Sequence, residues 1–253
     1  MDTLGKIDIV IPLGNGSKWH NNELKYCLRS IEKYLKNYRH IYLICDGIIF
    51  DIPKFIDTTH VNIIQSELDI TTPSKNIWDK IYVACEHIVQ FSKDFVLFND
   101  DYFLTKEVDA LRIPNYYNNR LLYTTTPYDN WYNDFLENTD ELLKTEKRMC
   151  LNFDIHYPMI INKQKFLELH TEYNERWREY GDKLLVKSLY GNLQEIKNVY
   201  AIEDCKIKDI QSTNYVRAFI NNKWMFSTGD KCLTEPVKQL IQEMYPDKSK
   251  YEL

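Results

Sequence analysis

Residues 94–104 read DFVLFNDDYFL. The apolar run Phe95–Phe98 has the length and composition of a buried strand, and it passes directly into Asn99-Asp100-Asp101. Two adjacent carboxylates repel each other unless they are hydrogen-bonded or balanced by a cation. A magnesium or manganese ion, held by one or two carboxylates and by substrate phosphates, meets that need. A solvated loop after an edge strand accounts for the same residues without any chemistry.

Upstream of this stretch two periodicities alternate. Ile7–Leu13 (IDIVIPL) and His40–Cys45 (HIYLIC) are short apolar runs rich in β-branched residues, and Val61–Ile64 is a third. Between the first two, Leu24, Cys27, Leu28, Ile31, Tyr34 and Leu35 recur at helical steps after a cap at Asn21 or Asn22. Ile77, Ile81, Ala84, Cys85 and Ile88 mark a second helix over Ile77–Phe91. Strands that alternate with amphipathic helices predict an α/β fold: a mostly parallel sheet with helices on both faces. Ligands bind such sheets beyond the carboxyl ends of the strands. The polar residues expected there are Asn15, Asp46 and Asn99-Asp100-Asp101.

The second half is less regular. Residues 112–134 read as loops and 135–149 as a helix. Phe153–Ile161 reads as a strand, Lys163–Trp177 as a helix and Val199–Ile202 as a strand. A last helix spans Glu235–Tyr245, with Thr234 as cap and Pro236 in its first turn. No linker divides the chain, so one domain is expected over 1–253. The regular part of it covers about 1–110 and the less regular part about 111–253. His156 lies within an apolar run beside Asp154; it is either a core histidine or an acid/base, phosphate or metal group. Asp230 follows an aromatic run and is either a turn residue or a site residue. Arg217 would neutralise a diphosphate or pair with a surface carboxylate. Tyr116, Tyr117, Tyr128, Trp131 and Tyr132 would offer faces to sugar rings, or simply belong to a surface rich in tyrosine.

Composition removes several classes. The chain has 253 residues and a net charge of −5, which gives no electrostatic case for nucleic-acid binding. No apolar run is long enough to span a bilayer, and no basic amphipathic helix marks membrane attachment. The start, MDTLGKIDIV, lacks the pattern of a signal peptide, so a cytoplasmic place is expected. Six cysteines without close pairs read as buried thiols rather than as a zinc site or a disulfide framework. No GxGxxG or GxxxxGK[ST] phosphate loop is present.

Two resemblances rest on these residues. The N-terminal strand, the strand ending at Asp46 and the strand running into Asn99-Asp100-Asp101 resemble the GT-A glycosyltransferases, whose acidic motif holds a divalent ion against a donor diphosphate. More specifically, NNELKYCLRSIEKYLKNYRHIYLICDG (21–47) followed by FVLFNDDYFL is similar to the second conserved region of the Stealth family of sugar-1-phosphate transferases. DIHYPMIINKQKFLEL (154–169) is similar to that family's third region, and KWMFSTGD with the terminal MYPDKSKYE to its fourth. IDIVIPLGNGSKW stands where its first region falls, but Leu13-Gly14-Asn15-Gly16 replaces the usual Trp-Val-Asp-Gly.

The resemblance implies that Asp100 and Asp101 hold Mg²⁺ or Mn²⁺, that Asn99, Asn15, Asp46 and Arg217 border the nucleotide, and that His156, Asp230 or Asp154 supplies the base. It implies a nucleotide-binding half over about 1–110 and an acceptor-binding, site-completing half over about 111–253, with a nucleotide-sugar donor and a saccharide or lipid-linked saccharide acceptor in surface-polysaccharide synthesis, at the inner membrane surface where the acceptor is lipid-linked. The neutral Asn15 favours transfer of the sugar itself; transfer of sugar-1-phosphate is the alternative. A carbohydrate-binding protein without turnover also remains open. So does a nucleotidyltransferase, for which Gly14-Asn15-Gly16-Ser17-Lys18 is a weak version of the required loop.

Overall fold

A computed structural model describes residues 5–14, 16–47, 52–66, 72–122 and 130–253. Its elements in chain order begin with β1 (Ile7–Leu13), α1 (Asn22–Tyr34), β2 (Leu35–Lys36), β3 (Tyr38–Asp46), β4 (Asn62–Ser66), α2 (Pro73–His87) and β5 (Asp94–Leu97). There follow β6 (Tyr102–Leu104), β7 (Val108–Asp109), β8 (Asn115–Tyr117), α3 (Asn130–Thr145), β9 (Met159–Asn162), α4 (Lys163–Glu179) and α5 (Val186–Leu193). The chain closes with β10 (Val199–Ala201), β11 (Lys206–Ile207), α6 (Thr213–Asn221), β12 (Met225–Thr228) and α7 (Glu235–Met244).

The main sheet has the order β4-β3-β1-β5-β9. β4, β3, β1 and β5 are parallel, and β9 runs antiparallel to β5 at the edge. β1 is buried along almost its whole length, so its apolar residues serve both faces. Ile7, Ile9, Ile11 and Leu13 pack on the side of α1 with Leu24, Leu28 and Ile31, whereas Val10 packs on the opposite side with Trp78 and Ile81 of α2 and Phe166 of α4. The expected α/β sheet with helices on both faces is therefore present. A second, three-stranded sheet, β11-β12-β6, stands behind the acidic motif.

Some expectations are corrected. The second helix starts earlier, at Pro73, because Thr72 caps it by accepting from the Lys75 amide. Asn21 does precede α1, but its side chain makes no capping bond; the hydroxyl of Ser17 instead accepts from the backbone amides of Trp19 and Asn21. The run Phe153–Ile161 is not one strand. Only Met159–Asn162 is, because the preceding residues are held by contacts to α5 and to Asp204, just before β11. The region 112–134 contains β8, and α3 begins at Asn130.

The terminal motif has a structural explanation. Glu252 accepts from Nε and Nη2 of Arg29 at 2.7 and 2.8 Å, and also from the amide and hydroxyl of Ser249. Residues 249–252 thereby fasten onto α1, the helix that carries Glu23 into the site described next.

Candidate active site

The polar ends of β1, β3 and β5 meet as the parallel topology requires. At the end of β3, Asp46 is buried and pairs with Nζ of Lys80 at 2.5 Å; Nδ2 of Asn76 donates to the same oxygen at 2.9 Å. Lys80 also donates to the carbonyl of Leu13 at 2.6 Å, which joins the ends of β1 and β3. Burial depresses the Lys80 pKa, and its neighbours Asp46 and Asp100 work against that depression. A β-carbon on Gly14 would stand 3.6 Å from Oδ2 of Asp46, so the chain passes close to that carboxylate. Asn15 lies outside the described residues.

Asn99-Asp100-Asp101 turns from β5 into β6. Burial, then the charges of Asp101 and Glu23, push the Asp100 pKa up to about 7. Oδ2 of Asp101 accepts from the Ser227 hydroxyl at 2.6 Å and lies 3.9 Å from Nζ of Lys206. Sheet register produces this arrangement: Ser227 on β12 stands opposite Tyr102 on β6 and beside Lys206 on β11. Glu23, in the first turn of α1, is buried and accepts from Ser17 at 2.7 Å. Burial raises its pKa, and the charges of Asp230 and Asp101 add to the effect. Asp230 is half-exposed and pairs with Lys18 at 3.5 Å on the rim.

Three consecutive residues grip His156. Asp204 accepts from the His156 backbone amide at 2.9 Å and lies 2.8 Å from Nδ1. The Cys205 thiol donates to the His156 carbonyl, and Nζ of Lys206 lies 3.1 Å from Nε2. Burial opposes ionisation of Asp204, but the bonds and charge of His156 outweigh it and hold the carboxyl well below the usual range. When the ring carries one proton, the Asp204 carboxylate at Nδ1 and the Lys206 ammonium at Nε2 favour the tautomer with that proton on Nδ1. The side chains of His156, Asp204, Asp101 and Lys206 are 19–24% exposed, so solvent and small ligands reach them.

Supporting contacts fix the segment 153–157. The Ser188 amide donates to Oδ2 of Asp154 at 2.7 Å, and the Lys187 amide lies 3.4 Å from Oδ1, at the start of α5. Asp154 thus binds the positive end of a helix dipole. Lys187 donates to the carbonyls of Ile155 and Tyr157, on either side of the histidine. Gly191 of α5 lies against Phe153: a β-carbon there would come within 2.6 Å of the ring. Gly191→Ala is therefore expected to lower stability by about 1–3 kcal/mol, read as a lower urea midpoint, with a loss of activity as the His156 segment shifts.

The structure brings together Asp100, Asp101 and His156, with Asp46 behind the pair and Asp230 on the rim. Arg217 does not join them; it is exposed on α6 and pairs with Glu243 at 2.8 Å, the surface pairing weighed from sequence. Of the aromatic group, Tyr128 and the side chain of Trp131 lie outside the described residues, whereas Tyr116 packs on Tyr157 and Trp224. Sequence reading passed over Glu23, Asp204, Lys206 and Ser227. The available signal was the alternation in Asp204-Cys205-Lys206-Ile207, where Cys205 and Ile207 are buried and the charged residues face the opposite way.

Among the described residues no three His, Cys, Asp or Glu side chains converge as a ready-made metal cage. Two adjacent aspartates, one with a pKa pushed up by burial and by its neighbour's charge, nonetheless suit a hard divalent cation that completes its shell with water and phosphate oxygens.

Comparison with solved structures identifies the fold as GT-A. An active-site mutant of LgtC superposes with a TM-score of 0.54 at 10% identity, covering 96% of this chain and 97% of that one. The glycosyltransferase GlyE of Streptococcus pneumoniae TIGR4 gives a TM-score of 0.50 at 10% identity, covering 96% and 61%. The resemblance to the second Stealth region holds in sequence. Residues 18–121 match the model of Stealth protein CR2, conserved region 2. Capsular polysaccharide phosphotransferase cps1A of Actinobacillus pleuropneumoniae is 30% identical over 100 residues, which cover 36% of this chain and 25% of that protein. Capsular polysaccharide phosphotransferase WcwK of S. pneumoniae is 33% identical over 86 residues, covering 32% and 24%. The matched stretch thus spans about a quarter of these relatives.

Proposed function

We propose that this chain is a transferase that moves sugar-1-phosphate from a nucleotide-sugar donor to a hydroxyl of a saccharide acceptor in capsule synthesis. The observation that carries the reading is Lys206, whose ammonium stands between the acidic motif and a histidine–aspartate pair. A cation and a base at one point suit phosphoryl transfer, where charge develops on phosphate oxygens while a hydroxyl loses its proton. The names of the relatives that share region 2 support the same choice.

The acceptor oxygen bonds to the β-phosphorus, the bond from that phosphorus to the bridging oxygen breaks, and nucleoside monophosphate departs. The acceptor proton passes to Nε2 of His156, which holds no proton of its own; Asp204 stabilises the imidazolium that results. Lys206 must first leave Nε2, and the donor phosphates draw it away as stronger partners for an ammonium. Asp100 and Asp101 would hold Mg²⁺ or Mn²⁺, which when bound neutralises charge on the diphosphate. Glu23 and Asp230 border this acidic end. Asp46, fixed by Lys80 and Asn76, borders the nucleotide with Asn99. Asp154 positions the His156 segment rather than acting as the base.

No helix among the described residues is long and apolar enough to cross a membrane. We place the reaction in the cytoplasm, where nucleotide sugars are made, with a lipid-linked acceptor met at the inner membrane surface. Transfer of the sugar alone is the second reading, favoured by the neutral residue at Asn15 in a segment where the family usually has aspartate. Mass spectrometry of the products from a panel of nucleotide sugars, with saccharide acceptor and Mn²⁺, separates the two. Nucleoside monophosphate with a phosphodiester product is expected. Nucleoside diphosphate would establish sugar transfer, and no cleavage of any donor would leave a carbohydrate-binding protein.

A further inference from the structure

Away from the candidate active site, a cavity of about 520 Å³ opens beside α3. Its lining combines Arg120, Lys144 and Arg148 with one carboxylate, Asp140, and with the exposed side chains of Leu122 and Met149. Three cations around one opening are unexpected in a chain whose net charge is −5. Lys144 is tied to Asp140 and Arg148 to Glu195, but no carboxylate pairs with Arg120 among the described residues. Arg120 is exposed and available to a ligand anion.

The wall of this cavity is continuous with the active-site segment. Arg120 and Leu151 form an antiparallel bridge, reinforced by bonds from the Leu121 amide to the Cys150 carbonyl and from the Asn118 amide to the Asn152 carbonyl. Leu151 lines the cavity, and five residues later the same backbone delivers His156. An extended chain of that length spans at most about 18 Å. A saccharide of a few rings is long enough to cover that distance from a reacting hydroxyl at His156.

We infer that this cavity binds a phosphodiester group of the acceptor saccharide, one or more units behind the hydroxyl that reacts. The inference rests on the proposed reaction, since sugar-1-phosphate transfer to a hydroxyl leaves a phosphodiester in the product. A chain extended once then carries the anion that Arg120 and its two neighbouring cations attract, so the enzyme favours acceptors that it or a like transferase has already extended. The apolar lining from Leu122 and Met149 suits the non-polar faces of the flanking sugars.

The test compares two capped synthetic oligosaccharides with the same sugars and the same terminal hydroxyl, one containing an internal phosphodiester and one joined only by glycosidic bonds. Binding is followed by titration calorimetry, and transfer by nucleoside monophosphate release. Wild type is expected to bind and use the phosphodiester acceptor roughly tenfold better, by the strength of a charge-assisted contact. Arg120→Gln is expected to bring the binding ratio close to one, and Arg120→Lys to retain part of it. Equal binding of both acceptors by wild type overturns the inference, as does a preference that survives Arg120→Gln with Lys144→Gln. A long-chain alkyl phosphate that displaces the phosphodiester probe while the saccharide phosphate binds no better than its neutral twin would assign the cavity to a lipid anchor, and also overturns it. If neither acceptor elicits monophosphate release, the reaction reading fails, while the binding ratio still decides what the cavity holds.

Discussion

Asp101→Asn is expected to reduce the rate of donor cleavage by about a thousandfold without loss of the fold. The substitution is nearly isosteric, and an asparagine carbonyl still accepts from Ser227, whose hydroxyl is 2.6 Å from the wild-type carboxylate. What disappears is the charge that faces Lys206 and that repels Asp100. The sign of the stability change follows. The folded-state pKa of Asp100 lies near 7, above the ordinary aspartate value of 3.8, so the folded protein holds a proton that the unfolded chain releases. Stability therefore falls as pH rises between these values, and Asp100 is a destabilising charge above them. Removing the neighbouring charge relieves part of this, by roughly 1 kcal/mol. The variant should be inactive yet unfold at the same or a higher temperature than wild type at pH 8. A rate within tenfold of wild type would remove Asp101 from the site, and a much lower melting temperature would make its role structural.

Asp204→Asn should lower kcat by about two to four orders of magnitude. The carboxylate accepts from Nδ1, which keeps Nε2 free of a proton. An amide in its place can donate to Nδ1 through its own nitrogen, and the histidine then carries its proton on Nε2, where it cannot accept one from a hydroxyl. Asp204 also has a depressed folded-state pKa. Its stabilising contribution is fully present above the ordinary aspartate value and is lost as pH falls below it. The stability gap between wild type and variant, from urea unfolding, should be open at pH 7 and at pH 5, and should narrow only as the pH falls below the ordinary aspartate value of 3.8. Asp204→Glu should recover part of the rate. If the asparagine variant retained wild-type turnover, His156 would not be the base.

Much of the first hundred residues was legible because the signals are local. An apolar run such as Ile7–Leu13 has few alternatives to a buried strand, and the acidic pair after Phe98 stands at a strand end that parallel topology places among other strand ends. The parts that were not legible depend on register between distant segments. Lys206 meets Asp101 only because β11, β12 and β6 align Lys206 with Ser227 and Ser227 with Tyr102. No property of residues 202–208 alone reveals that pairing. Arg217 shows the reverse error: its residue type suited a diphosphate, but α6 buries Val216 and Ile220, and this turns Arg217 outward. Asp154, chosen for its nearness to His156 in sequence, belongs to the helix start it satisfies.

The antiparallel edge strand has one more consequence. Leu97 on β5 is paired with Met159 on β9. From that pair, Asp100 lies three residues onward and His156 three residues back, so both branches leave the sheet at the same end. The spacing of the acidic and basic partners is thus set by chain length, counted outward from one rung of the ladder. Substitutions at Tyr157 or Pro158 alter packing, but an insertion or deletion of a single residue between His156 and Met159 would displace the histidine by a whole step relative to the aspartates. Related sequences should therefore hold this interval constant in length more strictly than in residue type.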